Sequence, residues 1–275
     1  ILDGNDPIDI TPIRATTSAG DVTFAAVNGS STITVSDTNN GVFLNDFVTF
    51  SGAASLGGLI TAAVLNKEYQ VTSVVNANSY TITATATANS SDTGNGGSSV
   101  VGRYQINTGL DSAASGSGWS AGTWSRGTWS SAADVSIPGA QLRLWSMDNF
   151  GEDLLANARG GGIYYWDASS GTGARAVNIT TLSGNNQPQA ANVVLVSERD
   201  RHVIAFGCDP QGDPGNLDPL TIRFSDQESF TDWAATSTNT AGELRIGTGS
   251  EIIAAVQTKQ QVIIFTDRSV SSMQF

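Results

Sequence analysis

The stretch "IIAAVQTKQQVIIFTDRSVSSMQF", residues 252–275, holds three apolar, alternating runs joined by very short connections. Runs of that length and period are strands, and three in direct succession form an antiparallel meander. "ELRIGTG", 243–249, precedes them across a loop. The same layout occurs in "NVVLVSERDRHVIAFGCD", 192–209, followed by "LTIRFSD", 220–226. There an apolar strand, a charged turn, an apolar strand and a loop lead to an outer strand ending in Asp. A meander repeated at that interval is the sequence pattern of propeller blades. Upstream, "QLRLWSMD" and "GGIYYWDA" continue the rhythm.

Residues 18–100 read as a separate unit. "GDVTFAAV", "STITVSD", "DFVTFSG", "KEYQVTSVV" and "SYTITATAT" alternate β-branched or aromatic residues with polar ones. Asn-Gly and Asn-Ala-Asn turns between them supply the positive φ that tight connections need. In "DFVTF", Phe47 and Thr49 share one face and Val48 and Phe50 the other, so both faces carry apolar groups. The helix-compatible piece is "LITAAVLN", 59–66, one or two turns long. "SSDTGNGGSS", 90–99, is a linker by composition, and "VVGRYQI" follows it as one more strand. The expected chain is all-β: a small antiparallel barrel or sandwich plus part of a propeller-like domain. Its expected divisions are a lead-in strand at 1–17, the inserted unit at 18–100, an extended arm at 101–137 and blades over 138–275.

Composition narrows the function. Charged residues make up 14% of the 275, against about 25% in an average domain. The net charge is −12, with Lys67 and Lys259 the two lysines. So acidic a surface repels phosphate and argues against ordinary nucleic-acid binding, though it suits the wall of a conduit past which DNA slides. Cys208 is the single cysteine, so no intrachain disulfide and no cysteine metal cluster can form. No run of 18 apolar residues marks a membrane span. The chain begins without Met and stops inside an alternating run, which reads as a segment of a longer polypeptide.

Catalytic constellations are sparse. His202 is the single histidine, beside a charged turn at a strand start, and reads as a surface or core-edge residue. Cys208 has no positive neighbour to lower its pKa and reads as a buried structural thiol. "DPQGDPGNLDP", 209–219, gathers Asp209, Asp213 and Asp218. Oxygen-rich loops can hold calcium, but this spacing does not match the helix-flanked twelve-residue loop, and an inter-strand turn is the favoured reading. In "SDQESFTDW", Ser225, Asp226 and Trp233 approximate the Asp-box turn of sialidase-like propellers, without its spacing or glycine. The eleven arginines are scattered singly, so the arginine cluster of that chemistry is missing as well. "ARGGGI" lacks the Gly-Lys-Ser/Thr ending of a phosphate loop. "DNFGEDLL", 148–155, reads as a structural corner, with Glu152 and Asp153 pointing opposite ways along a strand. No enzymatic role, cofactor or metal is expected.

"GSGWSAGTWSRGTWS", 116–130, sets Trp119, Trp124 and Trp129 five residues apart, which fits neither a helix face nor a strand face. Such an extended arm cannot bury its rings against itself. Each could contribute on the order of 3 kcal/mol if inserted into a neighbouring subunit or blade. The three tryptophans are therefore subunit-interface candidates, with a carbohydrate-stacking platform as the rival.

"LRLWSMDNFGEDLLANARGGGIYYWD", "TIRFSDQESFTDW" and "VIIFTDRSVSSMQF" resemble tail-hub, nozzle or packaged-DNA stabilisation proteins of short-tailed and related marine phages. The tryptophan repeat and the barrel segment "DFVTFSGAASLGG" are similar to members of the same group. The resemblance covers roughly residues 8–275 and rests on structural motifs. It implies a virion protein of the phage tail, a ring of identical subunits built on a propeller. That ring would lie below portal and adaptor, with fibres as further partners, and gate a channel that DNA passes without specific binding. It also implies a longer chain, of whose propeller this segment holds a part. The alternative is a carbohydrate- or receptor-binding propeller of a tail fibre.

Overall fold

The computed structural model describes residues 2–3, 6–92, 95–109 and 143–274. Short strands β1 (Leu2–Asp3) and β2 (Asp6–Pro7) pair antiparallel. The chain then divides into two compact units, one of residues 13–143 and one of residues 1–12 with 144–275. The first is thus an insertion in the sequence of the second.

The inserted unit contains β3 (Ile13–Thr16), β4 (Thr23–Ala26), β5 (Thr32–Ser36), β6 (Phe47–Ser51), helix α1 (Ala62–Leu65), β7 (Glu68–Asn76), β8 (Ser79–Thr83) and β9 (Val101–Gln105). The one-turn helix lies within the expected stretch, its first turn capped by the Thr61 hydroxyl accepting from Val64 N–H. The strands make one antiparallel sheet in the order β3-β9-β6-β7-β8-β5-β4. The nine-residue β7 carries two register irregularities and pairs with β6 along its first three residues and with β8 from Val71 to Asn76. Such breaks bend a strand, and here they let one sheet turn around a single core. Phe24, Val48, Phe50, Val71, Tyr80, Ile82 and Tyr104 are all buried in that core. Phe24 meets Phe50 edge to face with ring centroids 4.9 Å apart. Val48 and Phe50 face inward while Phe47 and Thr49 are half-buried, so the core lies on one side of this strand rather than both.

No sheet among the described residues closes into a barrel, which corrects the barrel alternative. Edge strands β3 and β4 are instead linked through the chain between them. Thr17, Gly20 and Phe24 donate from their backbones to the carbonyls of Gly102, Val100 and Asn95. Residues 95–100 therefore do not behave as the linker their composition announces. Gly52, at φ +73°, faces this segment so closely that a β-carbon would lie 2.0 Å from the Ser99 carbonyl oxygen. Beyond it, β9 is an interior strand paired with both β3 and β6, so the sheet continues past residue 100. At the other end, residues 13–16 belong to this sheet, while residues 9–11 bind the second unit. The Asp9 carboxylate pairs with Arg175, and the Ile10 carbonyl accepts from Ala176 N–H at 3.0 Å.

In that second unit come three meanders in succession. The first is β10 (Trp145–Phe150), β11 (Asp153–Ala158), β12 (Ile163–Trp166) and β13 (Val177–Asn178). The second is β14 (Ala191–Val196), β15 (Val203–Cys208), β16 (Thr221–Phe224) and β17 (Gly242–Arg245). The third is β18 (Ile252–Gln257), β19 (Val262–Thr266) and β20 (Val270–Met273). Each is antiparallel in chain order, the strand arrangement of propeller blades. The corner at residues 148–155 is the β10–β11 hairpin, with Gly151 at φ +73° in its two-residue loop.

The middle sheet is apolar on both faces. Val194, Val196, Val203 and Ala205 cluster with Phe150, Leu155 and Ile163 of the first sheet. Val193, Leu195, Ile204, Phe206 and Ile222 cluster with Ile252, Val262 and Ile264 of the third. This explains why all six residues of β15 are buried and why its sequence shows no alternation. Polar pins add register. Ser146 Oγ and an Asp148 carboxylate oxygen on β10 accept from Val194 and Val196 N–H of β14, at 3.0 and 2.8 Å.

Candidate functional site

The chemistry-bearing residues of the second unit converge on the middle sheet. Arg223 projects from β16 beside Ala205 and is 1% exposed. Its guanidinium donates to the carbonyls of Asp209 (3.2 Å), Trp233 (3.5 Å) and Asn186. Its Nε lies 3.9 Å from a Glu243 carboxylate oxygen, beyond hydrogen-bond range. Asp209, fully buried at the end of β15, accepts from Gln189 N–H (2.9 Å), Ala190 N–H (3.0 Å) and Gly215 N–H (3.1 Å). Trp233, also fully buried, donates its indole N–H to the Phe230 carbonyl at 2.9 Å and its backbone N–H to the Asn185 carbonyl at 2.8 Å. The group thus clasps the loop before β14 to the loop after β16.

His202 and Cys208 flank β15. The histidine is buried, its Nδ1 2.7 Å from the Ser225 carbonyl and its ring edge-on to Phe224. Cys208 lies six residue steps along the strand from it, about 20 Å at the rise of an extended chain, which rules out a Cys–His pair. The Cys208 thiol is fully buried, and burial pushes its pKa up to about 12. A thiol so placed is neither accessible nor ionised at neutral pH. Ellman's reagent should therefore leave native protein unlabelled at pH 8 and react stoichiometrically in urea. Prompt labelling of the native chain would contradict the packing of β15.

The calcium-loop candidates do not converge on an ion site. Asp209 serves the three backbone donors just described. Asp213 accepts from the Asn216 amide at 2.7 Å. Asp218 bonds Arg245 Nε at 2.6 Å, which with Leu220 N–H and Thr221 Oγ holds its carboxyl below the usual range. Among the described residues no three of His, Cys, Asp or Glu group so as to hold a metal ion. Within the Asp-box-like stretch, Ser225 Oγ accepts from Val203 N–H and Asp226 from the backbone and hydroxyl of Thr240, so both stabilise loops. Asp153 likewise takes the Tyr165 hydroxyl at 2.6 Å. Trp119, Trp124 and Trp129 lie outside the described residues.

One concavity was not anticipated from the sequence. The β14–β15 turn and the β18–β19 turn flank a cleft with about 370 Å³ of empty space, part of it open to solvent. Ser197, Arg199 and Asp200 line one side and Thr258, Lys259 and Gln260 the other. Gln257, with its amide turned so that both ends are satisfied, bridges to the Val196 carbonyl (2.7 Å) and Glu198 N–H (2.9 Å). Arg199 is 82% exposed along its side chain. The sequence signal was available: aligning the two meanders brings their charged turns, each with a cation, to equivalent positions.

No protein-family model and no curated protein matches the sequence. Among solved structures it is similar to the endosialidase of phage phi92, at 13% identity and a TM-score of 0.28. That alignment covers 92% of this chain and 35% of the other, so the chain spans about a third of its length. A likeness this distant carries no inference about fold or chemistry. Among the described residues no helix is long and apolar enough to cross a membrane.

Proposed function

We propose that this chain is a structural subunit of a phage tail, a hub or nozzle component that rings the DNA channel with copies of itself. The observation that carries this reading is the use made of the buried polar groups. Asp209, Arg223, Trp233 and Ser225 are spent on tying loops to strands, as a scaffold requires and a catalytic centre does not. The resemblance of "TIRFSDQESFTDW" and "VIIFTDRSVSSMQF" to tail proteins supports the same reading, since those motifs hold the clasp and the third sheet.

Charge supports it independently. Residues 1–12 and 144–275 hold 18 of the 25 carboxylates and eight of the 13 basic residues, a net −10, which leaves −2 for the inserted unit. A wall of that sign lets DNA pass without adhering. Adaptor and fibre proteins are the further partners, and the tail of the virion is the location. In a fluorescence-anisotropy titration at about 0.15 M salt, duplex DNA should show no saturable binding. Tight, salt-sensitive binding would exclude the channel role.

The cleft between the two turns favours a second reading, receptor binding by a tail-fibre module. Its cations, amides and hydroxyls are suited to hydroxylated, acidic sugars. A glycan-array signal lost in Arg199→Ala and Lys259→Ala would decide for that reading.

A further inference from the structure

Neighbouring first hairpins meet twice in the second unit, and the two meetings differ. Phe150 on β10, Val196 on β14 and Gln257 on β18 each end a six-residue first strand, so the turns that follow hold equivalent places in the three meanders. Between the first and second sheets a cation joins the turns. Arg201 sets its guanidinium 4.8 Å from the centre of the Phe150 ring, and a β-carbon on Gly151 would meet it at 3.0 Å. Between the second and third sheets the Gln257 amide makes the bridge, on Val196 and Glu198. The cleft of about 370 Å³ lies there, with that amide in its wall.

The lining selects the ligand. Its charged residues are Arg199, Lys259 and Asp200, two cations and one carboxylate, a net +1 within a unit of net −10. The other charged residues of the β14–β15 turn, Glu198 and Arg201, do not line it and cancel one another. A net +1 balances a ligand with one negative charge, whereas a phosphate monoester carries about −1.5 to −2. Arg199 offers a planar fork that matches a carboxylate, and Lys259 a point charge. Around them stand the hydroxyls and amides of Ser197, Thr258, Gln260 and Gln261. Val262 is the one apolar residue of the lining and is 3% exposed, so the cleft lacks the apolar anchor pocket of a peptide site. Both turns are fixed. Thr258 donates its N–H and hydroxyl to the Gln261 carbonyl at 2.9 and 2.7 Å, and the Ser197 carbonyl accepts from Arg201 N–H at 2.9 Å.

We infer that this cleft binds one carboxylate-bearing sugar residue, its carboxylate between Arg199 and Lys259 and its ring hydroxyls on Asp200, Gln260 and Gln261. The volume is near the lower end of the about 300–1,000 Å³ of small-molecule sites, which suits a single ring. The inference rests on the receptor-binding reading of the cleft and narrows it to a singly charged residue. A ligand that touches both turns also ties the second sheet to the third, so saturating it raises the melting temperature.

The test is a ligand-observed saturation-transfer NMR titration of the full chain with D-glucuronate, D-galacturonate and D-mannuronate. Glucose, glucose 6-phosphate and acetate are the comparisons. At least one uronate should bind saturably, and each comparison compound at least about tenfold more weakly. Arg199→Ala and Lys259→Ala should each weaken that binding about tenfold or more. Arg268→Ala, which removes the same charge from the β19–β20 turn, where the side chain is 78% exposed, should leave it unchanged. Unchanged melting of the unliganded variants would establish that they fold. Glucose bound as tightly as the uronates overturns recognition of a carboxylate and leaves the receptor-binding reading standing. Acetate bound equally well overturns the sugar, and glucose 6-phosphate bound equally well overturns the single charge. Uronate binding that survives both cleft variants overturns the site. If no uronate binds, the inference is overturned, and a blank glycan array overturns the receptor-binding reading with it.

Discussion

Replacing Trp233 with alanine should cost the second unit about 3–5 kcal/mol, the usual range for emptying a buried tryptophan site. Trp233 is fully buried and packs in the cluster that joins the first and second sheets. Its carbonyl also accepts from Arg223, and its backbone N–H closes onto Asn185, so a cavity there loosens both loops of the clasp. Domains are stable by about 5–15 kcal/mol, so the loss is a large share of the total. Urea unfolding followed by far-ultraviolet circular dichroism should show a lowered midpoint at unchanged slope. Trp233→Phe should keep most of the packing and forfeit mainly the indole bond to Phe230, about 1 kcal/mol. A Trp233→Ala midpoint within error of wild type would show that this ring holds nothing together.

Asp209→Ala should be almost as damaging, at about 3 kcal/mol. Removing the carboxylate deprives the N–H groups of Gln189, Ala190 and Gly215 of their acceptor, and stranded donors cost about 1–3 kcal/mol each, less where water reaches them. It also removes one negative charge near Arg223, which then has the Glu243 carboxylate at 3.9 Å as its counter-charge. Asp209→Asn keeps one oxygen for Gln189 and Ala190 and should recover more than half of the loss. If the asparagine were as destabilised as the alanine, charge rather than the backbone bonds would be the main contribution of Asp209.

These two residues show where the sequence was legible. The meander rhythm, the hairpin at 148–155 and the short helix at 62–65 follow from local patterns: alternation, turn residues, a threonine cap. The clasp does not. Arg223 stands in "LTIRFSD", where an arginine in an alternating strand reads as solvent-facing. Its burial is set by carbonyls at Asn186, Asp209 and Trp233, which the fold brings in from three other segments. In sequence, Asp209 stands in an oxygen-rich Gly/Pro loop of a kind that can hold calcium, although an inter-strand turn is the favoured reading there. Backbone N–H groups satisfy such a carboxylate as well as a cation does, and composition cannot tell the two apart.

In the inserted unit the same limit applies to β9. "VVGRYQI" announces a strand, but its place between β3 and β6 depends on partners dozens of residues away in sequence. The glycines and serines of residues 95–99 look like a linker because they are small. Small residues are also what the close approach at Gly52 demands, and here packing decides over composition.

The central claim is that this chain builds a closed ring, and electron microscopy of the purified full chain tests it most directly. The account predicts class averages of ring-shaped particles with rotational symmetry and a central opening. Particles that are single 28.5 kDa chains at every concentration, with no symmetric assembly, would contradict it.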